Sequence, residues 1–167
     1  MRASRTARER YASPIGFAAA IGCLLLPFVS ISLDERRASA TGFQLVANRP
    51  TFHGRYVQLA YAGEAETLIH HAAWPARLVL AACVVGACSI LLTRRRARQA
   101  SLWAAIAALV LLFVLRFVSA SRFHPPYSSC RAGFWLCAVV LFAVAVWNVR
   151  SLRRDEDDGV GLGWPIR

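Results

Sequence analysis

The sequence predicts an all-α membrane protein, a four-transmembrane-helix bundle with one moderate extracytoplasmic loop. Three observations predict it: a chain of 167 residues that is 57% hydrophobic yet carries a net charge of +11, apolar residues gathered in four long blocks, and arginines gathered between them. A soluble nucleic-acid binder combines a modest core with a wide polar surface, so this combination points to charged loops around membrane segments. All 20 basic residues are arginine, a bias expected of a GC-rich genome rather than of a recognition surface.

The elements follow in order. Residues 1–13 form a basic cytoplasmic start with Arg2, Arg5, Arg8 and Arg10. The first transmembrane helix is expected over 14–33, a run without any charge. An extracytoplasmic loop spans 34–73, and the second helix spans 74–93, with Arg77 alone in its first turn. A cytoplasmic arginine-rich turn occupies 94–100. The third helix spans 101–118 with Arg116 near its end, a short outer loop spans 119–132, and the fourth helix spans 133–149. The tail, 150–167, returns to the cytoplasm. About 20 apolar residues cross a bilayer core of about 30 Å, and all four blocks reach the usual range. None has the polar face that a soluble bundle requires.

The first block also raises the question of a secretory signal, because an Ala38-Ser39-Ala40 triplet follows it. The length of the run, and the Asp34-Glu35-Arg36-Arg37 sequence before the triplet, favour an uncleaved anchor.

Orientation comes from the arginines. Eleven of them lie in 1–13, 93–100 and 150–154, and six in the longer connections 34–73 and 119–132. Dense and sparse connections alternate as four crossings demand, and positive charge is retained inside. The stretch LLTRRRARQASLW, with Arg94, Arg95, Arg96 and Arg98, is therefore the turn of a membrane hairpin. Both termini are placed in the cytoplasm. Tyr11, Trp103 and Trp147 fall at the inner interface and Trp74 and Trp135 at the outer one, the levels where amphipathic rings concentrate. Arg77 and Arg116 lie near outer helix ends, where their long side chains reach headgroups.

Within the outer loop, TGFQLVAN (41–48) and RYVQLAY (55–61) have the composition of a strand pair around the turn NRPTFHG. GEAETLIHHAAWP (63–75) suggests a short interfacial helix or a one-turn extension of the second helix, with Pro75 near an N-terminus. At about 40 residues and without cysteine, the loop must lean on the helices or on a partner.

The succession of LPFVSIS (26–32), TGFQL (41–45), a small-residue helix ending in Arg94-Arg95-Arg96, and GFWL (133–136) resembles a group of small four-helix integral membrane proteins of actinobacteria and other GC-rich bacteria. In that group a cysteine often follows the serine-rich end of the first helix; Leu33 and Asp34 stand there in this chain. The resemblance implies the four-helix fold and no activity.

The residues that could carry chemistry are few. Of Cys23, Cys83, Cys88, Cys130 and Cys137, only Cys130 falls in an outer loop, and no CxxC occurs. A thiol oxidoreductase needs paired, accessible cysteines. The four histidines are on the outer side, and Glu66 and His70 share a helix face. His53, Glu66, His70 and His124 are thus the candidate metal ligands, although four histidines scattered over loops need no metal to explain them. His70 and His71, being adjacent, point to different faces. The helix centres hold no carboxylate to mark a transport path. No phosphate loop or catalytic triad is present, so no catalytic residue and no cofactor is assigned. Small residues four apart do recur: Gly16/Ala20 and Ala18/Gly22, Ala82/Gly86, Ala104/Ala108, and Gly133/Cys137. Such faces let helix backbones approach closely.

The expected function is a non-enzymatic structural or accessory role in a bacterial cell membrane, exercised through the outer loop and the helix faces. The alternative is a small transport component or a metal or pH sensor using the outer His and Glu residues. Expected partners are the bilayer, with anionic headgroups at the arginine clusters, and a membrane-protein partner or second copy. Nucleic acid is not expected.

Overall fold

The computed structural model describes residues 2–33, 36–48, 62–122 and 128–159. Helix α1 runs from Arg2 to Cys23 and is followed by strands β1 (Pro27–Leu33) and β2 (Arg36–Thr41). A short helix α2 (Gly42–Ala47) comes next. The long helices α3 (Ala62–Cys88), α4 (Arg94–Arg122) and α5 (Ala132–Gly159) complete the fold, with a 3-10 turn at Ser89–Leu91 and strand β3 at Ser128–Cys130 between them.

The four long helices pack as a ring in which α1 touches α3 and α5, and α4 touches α3 and α5. Phe17, Leu24, Val79, Cys83, Ala105, Ala108, Leu112 and Leu141 fill its centre. Three helices contain stretches long and apolar enough to cross a membrane: His70–Leu91, Arg95–Ser119 and Ala132–Arg154. The apolar part of α1, Tyr11–Cys23, is shorter. Outward faces remain strongly apolar, with Trp103, Val110, Phe113 and Phe117 exposed on α4 and Val139 and Phe142 exposed on α5.

The chain departs from the all-α expectation at the end of α1. The expected helix over 14–33 stops at Cys23, where Leu24, Leu25 and Leu26 each donate to a carbonyl three residues back and tighten the last turn. Pro27 follows, and proline disfavours helix in the residue before it. The sequence beyond, PFVSISL, alternates and is rich in β-branched residues, so it pairs as a strand. Strand β1 is central in a three-stranded antiparallel sheet of order β2-β1-β3, with Ser30 opposite Ser39 on one side and Ser129 on the other.

The expected strand at 41–48 is a helix. Thr41 and Gln44 form a reciprocal capping box: Gln44 N donates to Thr41 Oγ1 at 3.2 Å, and Thr41 N donates to Gln44 Oε1 at 2.8 Å. Two orphan donors at the helix start are thereby satisfied. Asn48, at φ 53°, ends α2 in the left-handed region, which asparagine tolerates better than most residues. The other half of the expected hairpin, 55–61, lies outside the described residues.

The remaining boundaries also move. Helix α3 begins at Ala62 rather than at 74 and incorporates the 63–75 stretch as a continuous extension, with Pro75 inside the helix. Proline is accommodated there by neighbouring packing. The arginine stretch 94–100 is the first part of α4 rather than a turn, and α5 continues past 149 to Gly159.

Candidate functional site

At one end of the ring, the sheet and α2 form a cap. Its construction brings together the three short motifs LPFVSIS, TGFQL and GFWL. Phe43 N donates to Leu24 O at 3.0 Å, and a Cβ on Gly42 would fall 2.8 Å from Leu24 Cα, so α2 closes directly over the end of α1. Arg131 N donates to Phe28 O at 2.9 Å, and a Cβ on Gly133 would lie 2.8 Å from Pro27 O. Phe28 and Phe134 meet edge to face, centroids 5.9 Å apart, a favoured geometry for aromatic pairs.

Two arginine side chains tie the cap together. Arg77 Nε of α3 donates to Val46 O at 2.8 Å, and Arg131 Nε donates to Ser30 Oγ at 2.7 Å. Asn48 Nδ2 is 3.4 Å from His70 Nδ1, a weaker link between α2 and α3. Among the described residues no buried side-chain polar atom lacks a partner. The described part of the cap is therefore held by hydrogen bonds that run between α2, the sheet and the long helices.

The candidate metal ligands are only partly visible. His53 and His124 lie outside the described residues. Glu66 falls in α3, but its side chain is not described. His70 is exposed beside Asn48, and its ring meets that of His71 edge on at 6.0 Å. The adjacent rings thus stay within contact while leaving the helix in different directions. Among the described residues no group of three potential ligands comes together.

All five cysteines are free thiols. Cys83 and Cys137 are in the interior, where Cys137 Sγ approaches Ala20 O at 3.7 Å. Cys88 is exposed and Cys23 half-buried. Cys130, in β3, is half-buried: burial pushes its thiol above the ordinary value, while the nearby positive charge of the Arg116 guanidinium pulls the other way.

The opposite end of the ring carries the arginines. Arg94 opens α4, with Arg95 and Arg96 exposed one step on. Arg98 Nη1 donates to Ser151 O at 3.1 Å, which sets this cluster beside Arg150, Arg153 and Arg154 of α5. Two clusters that are separate in sequence form one basic surface. Beneath it lies a layer of buried polar side chains not singled out from the sequence. Ser13 Oγ donates to Asn148 Oδ1 at 3.0 Å, Asn148 Nδ2 donates to Val144 O at 2.8 Å, and the Ser89 and Ser101 hydroxyls are 2.6 Å apart. The signal was available: Asn148 is the one amide in an otherwise apolar block, and such residues usually face a bundle interior.

The small-residue positions divide. Ala20, Ala104 and Ala108 are buried, and Ala82 is half-buried against the core. A Cβ on Gly16 would collide with Val144, and one on Gly86 with the Phe17 ring. Gly133 is pressed on the α1–β1 turn as described above. Gly22 is the exception. It is exposed with nothing within 4 Å of a built Cβ, and Ala18 on the same face is exposed as well. Spacing alone cannot tell which of two small-residue faces on α1 turns inward; the Phe17 and Ala20 contacts decide it.

Compared with family models, with curated proteins and with solved structures, the chain matches none.

Proposed function

We propose that the protein is a multi-pass component of a bacterial cell membrane, a four-helix membrane bundle with both ends and the arginine surface inside and the cap on the outer side. Its role is non-enzymatic: the capped bundle acts as a structural or accessory element, holding anionic headgroups at its inner end and meeting a membrane-protein partner or a second copy through its outer surfaces. The observation that carries the reading is the union of Arg95, Arg96 and Arg98 with Arg150, Arg153 and Arg154 on one end face, at the inner limits of two apolar helices. Basic residues gathered at one end of membrane segments mark the cytoplasmic side, and anionic inner-leaflet lipids attract them. The aromatic residues support the same levels, since Trp103 and Trp147 are exposed near the arginine end and Trp74 and Trp135 near the cap. The hydrogen bonds that tie α2 and the sheet to the long helices support a structural role for the cap. The group that LPFVSIS, TGFQL and GFWL resemble agrees with this reading.

Cysteine labelling in spheroplasts tests it. A cysteine at Ser39, an exposed position in β2, should react with an impermeant maleimide. One at Gln99 in α4 should react only after lysis, each compared with the unsubstituted chain. The reverse pattern refutes the orientation.

A further inference from the structure

We propose that the turn Leu24–Leu26 lies within the outer leaflet, so that Leu25 and Leu26 are held in lipid acyl chains. This inference rests on the membrane reading above and assigns a lipid contact to a segment that is not α-helical.

The argument begins with length. The apolar part of α1, Tyr11–Cys23, rises about 20 Å at helical pitch, against a hydrocarbon core of about 30 Å. The three other apolar stretches hold 22, 25 and 23 residues and are long enough alone. Something other than helix must complete the first crossing. The structure shows what stands there: Leu24 is buried under α2, while Leu25 and Leu26 are 68% and 40% exposed.

The level of this turn is fixed by α5. A Cβ on Gly133 would lie 2.9 Å from Leu26 Cβ and 3.0 Å from Cys23 O, so the turn sits beside the first turn of an apolar stretch that begins at Ala132. Next to Gly133, Trp135 and Leu136 are exposed, so Leu26 continues the apolar outer face of α5. Acyl chains that cover this face reach the turn without a break.

Irregular backbone at membrane depth is tolerated only where its polar groups are satisfied within the protein. Here the three N–H groups of the turn and the carbonyls of Leu24 and Phe28 are bonded internally. The N–H groups of Leu24, Leu25 and Leu26 bond back into α1, Leu24 O accepts from Phe43 N, and Phe28 O accepts from Arg131 N. Beyond them β1 is paired on both edges. The Arg77 and Arg131 side chains, bonded to the cap, then stand where guanidinium groups can reach outer-leaflet phosphates.

The experiment is photo-crosslinking of the full chain in native membranes, with benzoylphenylalanine in place of Leu25, Val139 or Thr93 and the adducts identified by mass. Val139 is exposed two turns inside the apolar stretch of α5, and Thr93 is exposed at the arginine end. Phospholipid adducts at Leu25 in yield comparable to Val139, with a loss of adduct at Thr93, are expected. Adducts at Val139 but none at Leu25 overturn the inference and leave the membrane reading standing. Absence at both positions overturns both. A fold check that needs no lipid, melting in mild detergent, confirms that each substituted chain entering the comparison is native.

Discussion

Ser13 of α1 donates to Asn148 Oδ1 of α5 at 3.0 Å, and both side chains are buried. The bond fixes the register of α1, the helix with the shortest apolar stretch, against its neighbour. It also sits directly above the arginine surface, so α1 is held at the level where charge begins.

Ser13→Ala should therefore destabilise the protein by about 1–2 kcal/mol, because the amide oxygen of Asn148 loses its donor in a buried site. In an Asn148→Leu background the same change should cost close to nothing. Unfolding midpoints of the two single variants and the double variant in detergent give the coupling. Additive losses would show that the bond contributes nothing to the register.

The glycines make a second pair of expectations. Gly86→Leu drives a side chain into the Phe17 ring and should cost about 1–3 kcal/mol through overpacking. Gly22→Leu enters open space and should leave the melting temperature nearly unchanged, or raise it slightly through helix propensity. Equal losses at the two positions would mean that the Gly22 face is covered in the protein as it is purified.

How much of this was legible in the sequence differs from residue to residue. The apolar blocks point to all four long helices, because that pattern acts over many residues, but the arginine-rich segments 1–13 and 94–100, expected as a tail and a turn, are helical from Arg2 and from Arg94. The end of α1 was hidden by the same hydrophobicity, since charge counting treats PFVSISL like AAAIGCLLL; Pro27 and the alternation after it carried the missing information. Thr41-x-x-Gln44 was a capping signature in plain view, obscured by the β-leaning composition around it. The split between Gly16 and Gly22 was not legible at all. It depends on which face of α1 meets Val144, and only tertiary packing settles that.

Cys130 should alkylate slowly near neutral pH and faster as pH rises. Burial raises its pKa, so the reactive thiolate is scarce until the pH approaches that raised value. The Arg116 guanidinium favours the thiolate, so Arg116→Gln removes the lowering influence and should shift the rate-against-pH curve of Cys130 to still higher pH. Peptide mapping after pulsed alkylation separates Cys130 from the exposed Cys88. A shift to lower pH in Arg116→Gln would contradict the assigned contact.

The histidines give the last expectation. A metal site built from His53, Glu66, His70 and His124 would join segments far apart in sequence and stabilise the fold by linkage, by about 2.7 kcal/mol at a hundredfold excess over the dissociation constant. His70 is seen with Nδ1 facing the Asn48 amide, and among the described residues no group of three potential ligands comes together. We expect no rise in melting temperature with Zn²⁺ or Cu²⁺ at neutral pH, and little effect of His70→Ala beyond its weak link to Asn48. The decisive comparison is metal titration of the unsubstituted chain, His70→Ala and His124→Ala. Stabilisation that is present in the first and lost in both variants would establish a site spanning the connections 34–73 and 119–132, and would favour the sensing alternative over the scaffold role proposed above.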